Sequence, residues 1–394
     1  MDPRVNTVMA LASATDPAPR RVVTWDVRRQ DFCSEHEHAT RANFAQRLAA
    51  LHGWDFAGAY DAAQPGSQPL YFVPSDTLTD PHQAKALGIT GVDDLFGGVV
   101  PHAFVATKAI SHPLIGPDAV RPVGWSARIA VEIADAVLPG FSCFSIDEAR
   151  GAGRALLDIG RVRLKSVTAT GGRGQQVVDD VHALERCLDA MDEREIATHG
   201  LVLETNLEQP DTYSVGQLLV AQRIVSYCGK QRTTRDNAGA EVYGGSDLLL
   251  VRGDLDTLLA VVDPPPPLRR AIEQARCYHR AVIDCYPGFF ASRVNYDVAQ
   301  GLDGRGEWRS GVLEQSWRVG GATGAEIAGL EAFHQDPACQ RVHASCFEVY
   351  GAADVPADAI VAYRGNDPET GPLCKYTLLK TATTTTTTSH ADTP

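Results

Sequence analysis

The 394-residue sequence contains no run approaching the about 18 apolar residues that a membrane-spanning helix requires, and Asn6 and Thr7 interrupt the apolar positions after Arg4. Neither a transmembrane segment nor a signal peptide is expected, and the expected location is the cytoplasm. There is no Cys-x-x-Cys pair either. The nine cysteines, at 33, 143, 187, 228, 277, 285, 339, 346 and 374, are odd in number and scattered. They form neither a disulfide framework nor a zinc knuckle, which leaves reduced, mostly buried thiols as the simplest expectation. Positive charge is short as well: 36 Lys and Arg face 49 Asp and Glu, a net charge of −13. Nucleic acid and anionic membrane surfaces are therefore not expected as partners, and any anionic ligand must be held by a local basic site. Internal repeats, the Gly-Lys-Ser/Thr of a Walker A loop and the third glycine of a dinucleotide fingerprint are all missing.

What is present is globular. Apolar residues make up 44% and charged residues 22%, and at about 100 to 200 residues per domain the length implies two or three packed units. Residues 1–20 and 381–394, the latter with the Thr run 383–388, read as flexible tails. Arg21 to Trp25 reads as a first strand, and Phe44, Leu48 and Leu51 give Ala42 to Leu51 helical spacing. An α/β unit is expected over 21–100. A second unit, mixed α/β and α+β, is expected over 101–350, with Phe104 to Lys108 near its start and an apolar helix face from Ile129 to Leu138. Pro264 to Pro267 opens a helix with Leu268, Ile272, Ala275 and Ile283 on one face. Residues 351–380 read as a C-terminal extension.

The sharpest local signal is Arg161-Val162-Arg163-Leu164-Lys165 followed by Thr168 to Gly174 and Gln175 to Val178. Strand alternation puts Val162 and Leu164 on one face and Arg161, Arg163 and Lys165 on the other. Gly171, Gly172 and Gly174, interrupted only by Arg173, let backbone N–H groups approach an anion without a Cβ in the way. The segment reads as a hairpin tip that folds over a nucleotide, or as a glycine-rich hairpin with a solvated basic face. A helix is expected from Asp180 to Met191.

Downstream, Asn295 and Asp297 share one face of a strand, and Glu314 and Ser316 share one face of another. If the strands are neighbours, the two carboxylates repel unless a cation lies between them, and hard oxygen ligands suit Mg²⁺. The alternative is that Asp297 ends a strand and Glu314 pairs with Arg318. Glu204 closes the apolar strand Leu201 to Glu204, placed either to hydrogen-bond an adenine amino group or a ribose hydroxyl or simply to be solvated. Cys33, His36 and His38 are close enough to suggest a metal, yet Ser34-x-x-Glu37 also reads as a capping box. His112, His279, His334 and His343 have no ligand spacing among themselves and read as structural or surface residues. Lys230, Arg232 and Arg235 form a basic group after a strand, suited to an acyl phosphate or a carboxylate, or merely a solvated turn.

Taken in order, these pieces resemble the ATP-grasp superfamily over about residues 101–335 and, more narrowly, an uncharacterised bacterial ATP-grasp-like family. The resemblance implies a Rossmann-like N-terminal unit and a two-lobed domain that clamps ATP. It places Lys108 and Lys165 on the phosphates, Gly171, Gly172, Arg173 and Gly174 in the closing loop, and Glu204 at adenine or ribose. Asp297, Glu314 and Ser316 would hold Mg²⁺ and Arg318 would steady the transferred group, while Lys230 and Arg232 stand beside them as catalytic candidates on their charge alone. Ser316 departs from the family, which usually has Asn there, and Thr212 replaces the Glu of a Glu-Tyr-Ser-Val stretch. The implied activity is an ATP-dependent ligase joining a small-molecule carboxylate to an amine, with a homodimer as a compatible assembly. A phosphotransferase and a non-catalytic nucleotide sensor are the alternatives.

Overall fold

The computed structural model describes residues 19–27, 34–63, 68–168 and 174–380. The chain opens with β1 (Arg21–Trp25), α1 (Glu35–His52), β2 (Asp55–Ala59), β3 (Leu70–Pro74), α2 (Pro81–Ala86) and β4 (Gly98–Val99). β1 lies between β2 and β3 and pairs parallel with both. Helix α1 begins well before the periodicity from Ala42 indicates. The Glu37 carboxylate accepts the Ser34 backbone N–H at 3.1 Å, and Gly53, at φ +69°, ends the helix in the left-handed conformation that glycine adopts without strain.

The second layer holds α3 (Ala127–Glu132), β5 (Gly140–Cys143), α4 (Ile146–Leu157), β6 (Val162–Ser166), β7 (Gln175–Val178), α5 (Val181–Asp189), α6 (Glu193–His199) and β8 (Leu201–Thr205). Residues 103–106 and 108–111 are short 3₁₀ turns, and α3 stops at Glu132 although Ile133, Ala136 and Leu138 beyond it are also buried. The strands form an antiparallel sheet in the order β5-β8-β6-β7. Val162, Leu164 and Leu203 pack on one face against Ala149, Ala152, Leu156, Leu184 and Leu188 of α4 and α5, which puts Arg163 and Lys165 on the opposite face of β6.

The third layer comprises β9 (Glu208–Val220), β10 (Arg223–Arg235), β11 (Glu241–Arg252), α7 (Leu255–Val262), α8 (Pro266–Cys285), β12 (Phe290–Ala291), β13 (Arg293–Leu302), β14 (Trp308–Ser316), α9 (Thr323–Gln335), β15 (Arg341–Tyr350), β16 (Ile360–Asp367) and β17 (Gly371–Lys380). Eight strands form one antiparallel sheet, β14-β13-β9-β10-β11-β15-β17-β16. Residues 351–380 thus supply two strands to this sheet. Ile272 and Ala275 of the expected face of α8 are buried with Val282 against Val215, Cys228 and Val298, while Leu268 and Ile283 pack at the edge of this cluster, partly buried. Ala325, Ile327 and Leu330 of α9 join Phe44 of α1 over Tyr227, Leu250 and Val342 on the other. The small and large sheets follow each other directly, since only Asn206 and Leu207 separate β8 from β9. The eight cysteines among the described residues are free thiols, and Cys33 lies outside them. No helix among the described residues is long and apolar enough to cross a membrane.

Candidate active site

The carboxylate strands are neighbours. β13 and β14 pair antiparallel with Asp297 opposite Glu314 and Asn295 opposite Ser316, and on its other side Asp297 faces Ser214 of β9. Asp297 Oδ1 accepts hydrogen bonds from Gln231 Nε2 at 2.7 Å, Asn295 Nδ2 at 2.8 Å and Ser214 Oγ at 3.3 Å. No described residue donates to Oδ2. Burial, and then the Glu314 charge, push the Asp297 carboxyl up to about 6 against the pull of these donors and of Arg293. Glu314 is more open, its side chain 39% exposed, and Lys108 Nζ lies 3.1 Å from Oε2. The expected alternative, a Glu314–Arg318 pair, is not what forms: Arg318 Nε lies 3.4 Å from Asp76 Oδ1, and Nη1 donates to the Val319 carbonyl.

Ser316 is placed differently from its expected role. Its hydroxyl accepts from Arg293 Nη1 at 3.1 Å, and Arg293 is wholly buried, with Nε and Nη2 on the two oxygens of Glu326 at 3.0 and 2.7 Å. A cation at Ser316 Oγ would face a fixed guanidinium charge, so the structure reduces the candidate metal set to Asp297 and Glu314. Among the described residues no group of three or more His, Cys, Asp and Glu side chains has a metal-holding arrangement. Two carboxylates, one with an unengaged oxygen, nevertheless fit Mg²⁺, which takes one or two carboxylates and completes its shell with water and phosphate oxygens.

The small sheet contributes a second cluster. Of the chain's six lysines, Lys108 and Lys165 are the two that are buried, and each is set against an acid. Lys165 Nζ lies 2.5 Å from Glu204 Oε1, and His112 Nε2 is 3.1 Å from Glu204 Oε2. Burial would raise the Glu204 carboxyl, but the Lys165 charge and the His112 hydrogen bond hold it down at about 2. This corrects the expected adenine or ribose contact: at 2% exposure, with a partner on each oxygen, Glu204 is an internal counter-ion. The basic face expected on β6 is compensated too, since Arg163 donates to Asn206 Oδ1 at 2.7 Å and Gln175 Oε1 at 2.8 Å. Gly171, Gly172 and Arg173 lie outside the described residues, while Gly174 leads into β7 at φ +64°. His112, which has no ligand spacing in sequence and reads as a structural or surface residue, is structural. In the structure it is fully buried, its Nδ1 lacks a hydrogen-bond partner, and Gly140 passes so close that a Cβ there would stand 2.7 Å from that nitrogen.

A model of one family, with the description "Protein of unknown function (DUF3182)", matches residues 22–377. The chain belongs to the DUF3182 family. No match was found among curated proteins. Among solved structures, this DUF3182 chain is similar to D-alanyl-alanine synthetase A from Vibrio cholerae O1 biovar eltor str. N16961, at 12% identity over 80% of this chain and 93% of that one, with a TM-score of 0.45. Phosphoribosylamine–glycine ligase from Thermotoga maritima is 13% identical over 92% of both chains, also at 0.45. D-cycloserine synthetase is 11% identical over 80% of this chain and 97% of that one, at 0.43.

Lys230 and Arg232 need correction within the DUF3182 fold. On β10, Tyr227, Gly229 and Gln231 face the side of the sheet that carries Asp297, so Lys230 and Arg232 face the other. Lys230 is exposed and pairs with Asp211 at 2.6 Å. Arg232 lies 2.5 Å from Asp247, donates to the Cys346 carbonyl, and stacks over Phe347 with its guanidinium carbon 4.1 Å from the ring centre. The residue that reaches Asp297 is Gln231, between them. Period-two alternation would have found it once the register of β9 and β10 was known. In the DUF3182 chain the His36 backbone N–H donates to Asp367 of the distant β16, and His38 Nδ1 is 3.4 Å from Asp26.

Proposed function

We propose that the chain is an ATP-grasp-type ligase that uses ATP and Mg²⁺ to join a small-molecule carboxylate to an amine. The observation that carries this reading is the pair of directly opposed acids, Asp297 and Glu314, with the buried Lys108 against Glu314. It is supported by the second buried lysine, Lys165, on the sheet that leads into the same large sheet through two residues. Bound Mg²⁺ would supply positive charge at the β- and γ-phosphate oxygens. Lys108 and Lys165 would each turn a further ammonium proton to a phosphate oxygen while keeping the acid that neutralises it in the free chain. Asp297 Oδ2 and Glu314 would hold the cation, and Arg318 would leave Asp76 for the transferred group. The substrate carboxylate oxygen then attacks the γ-phosphorus while the bond to the β–γ bridging oxygen breaks, releasing ADP. The amine attacks the acyl carbon, phosphate departs with the bonding electrons, and the nitrogen loses one proton.

The test is a screen for ADP and phosphate release over a library of carboxylates and amines, with product analysis to separate ligation from stable phosphorylation. MgATP alone is expected to stabilise the fold, by about 2.7 kcal/mol at a hundredfold excess over Kd. Calorimetry that shows neither heat nor a melting shift at millimolar MgATP refutes the nucleotide site. One observation favours a second reading. With Ser316 held by Arg293 the metal set is short of a ligand, and ATP binding without ADP release under any acceptor would mark a nucleotide sensor.

The Lys108–Glu314 pair gives an opposite-signed expectation. Lys108→Met removes a cation that competes for Glu314, so Mn²⁺ alone is expected to bind more tightly than in wild type, while the ATP analogue binds less tightly. Isothermal titration with each ligand separately reads both effects, and parallel losses would contradict the pairing.

A further inference from the structure

We infer that Gln231 is a positioning residue that fixes the orientation in which the Asp297 carboxylate is offered to the divalent cation; this rests on the ligase reading above and deepens its metal site. The grip on Asp297 comes from three strands and falls on one atom. Gln231 Nε2 carries two protons, one directed to Asp297 Oδ1 at 2.7 Å and the other to Ser214 Oγ at 2.8 Å. The Ser214 hydroxyl in turn donates to the same Oδ1 at 3.3 Å, which closes a ring of three hydrogen bonds between β9, β10 and β13. Asn295 Nδ2 adds the third donor, and the single Tyr227 hydroxyl proton is shared between Glu326 Oε1, 2.6 Å from the Tyr227 oxygen, and Asn295 Oδ1 at 2.9 Å. Tyr227 reaches it because the facing residue is Gly216, where a Cβ would stand 2.3 Å from the Tyr227 oxygen.

A carboxylate with three donors on one oxygen is held in one plane, since any partial turn about its terminal bond weakens all three at once. The second oxygen is left without an internal donor, on a residue whose strand partner is Glu314. The ring's hydrogen bonds converge on Oδ1, so Gln231 would act on metal affinity through Asp297 and leave metal-free nucleotide binding alone. Partners that orient metal-binding carboxylates typically account for about 10- to 100-fold in metal affinity.

The experiment compares wild type with Gln231→Met, which keeps the length of the stem and removes the donors. Mn²⁺ affinity is measured by electron paramagnetic resonance at saturating ATP, and ATP affinity is measured separately in EDTA. The expected result is a loss of about 10- to 100-fold for Mn²⁺ with unchanged ATP affinity in EDTA. Wild-type Mn²⁺ affinity in a folded Gln231→Met chain overturns the inference, as does an equal loss in both titrations, which would put Gln231 on the nucleotide itself. Should Gln231→Met fail to fold, Ser214→Ala opens the same ring at its longest bond and is expected to lower Mn²⁺ affinity less, with the same split. A wild-type chain that binds ATP in EDTA and no Mn²⁺ also overturns the positioning role. One that binds neither overturns the ligase reading beneath it.

Discussion

Lys165→Ala is expected to lower the stability of the folded chain by about 3 to 5 kcal/mol, the usual result of stranding one member of a buried ion pair. Lys165 and Glu204 are 3% and 2% exposed, so the orphaned Glu204 carboxylate would retain only His112. Glu204→Gln should cost a comparable amount by stranding the lysine. The double variant Lys165→Met/Glu204→Gln should recover most of the loss, because it leaves no unpaired charge. Denaturant unfolding of the four chains reads this directly, and single variants as stable as wild type would show that the pair is not buried as described. The pH dependence has a definite sign. The Glu204 carboxyl is held at about 2, below its ordinary 4.5, so its contribution is complete above pH 4.5 and is lost as pH falls toward 2. The deficit of Glu204→Gln should narrow over that window. Nucleotide binding should remain impaired in the double variant, since the charge proposed to meet the phosphates is gone. ATP affinity at the wild-type level there would remove Lys165 from the nucleotide site while leaving its structural role intact.

Glu314→Gln is expected to abolish ATP turnover, and Asp297→Asn to reduce it sharply, because each removes a formal charge that offsets desolvation of a strongly hydrated cation. Ser316→Asn is expected to matter less, since Ser316 is engaged with Arg293 and not turned over to the cation. Titration of ADP release against Mg²⁺ separates the three, and the metal assignment fails if both acid variants keep the wild-type Mg²⁺ dependence. The Asp297 variant carries a second, opposite consequence. Its carboxyl is pushed up to about 6 from 3.8, so the folded state binds the proton more tightly than the unfolded state does. Stability therefore falls as pH rises through about 4 to 6, and the ionised Asp297 disfavours the metal-free fold at neutral pH. Asp297→Asn, whose amide oxygen still accepts from Gln231, Asn295 and Ser214, should thus be more stable than wild type at pH 7.5 by about 1 to 3 kcal/mol. That advantage should vanish below pH 4. An Asn variant less stable than wild type at pH 7.5 would contradict the strained acid pair.

Much of the site was legible because strands announce themselves locally. Alternation alone placed Asn295 and Asp297 on one face and Glu314 and Ser316 on another, and the observed register sets them opposite each other. The same rule, applied to β10 without its neighbours, drew attention to Lys230 and Arg232 for their charge and passed over Gln231, whose importance lies in a partner 66 residues away. Charge in a sequence marks what needs compensation, and it does not say where the compensation comes from. The family resemblance assigns Lys108 and Lys165 to phosphate, but that each already has an acid depends on loops and strands far apart in the chain.

The sequence by itself determined the charge balance, individual elements such as the strand from Arg21 and the proline-led helix, and the shared faces of Asn295 with Asp297 and of Glu314 with Ser316, because these follow from composition and from the periods of local backbone geometry. Tertiary structure alone decided which faces meet. It joined residues 351–380 to the large sheet, turned Glu204 inward onto Lys165 and His112, set Arg293 against Ser316, and gathered three donors onto one oxygen of Asp297. The physical reason is that hydrogen bonds and ion pairs act over a few ångströms in space, and pairing between distant strands sets those distances where spacing along the chain does not.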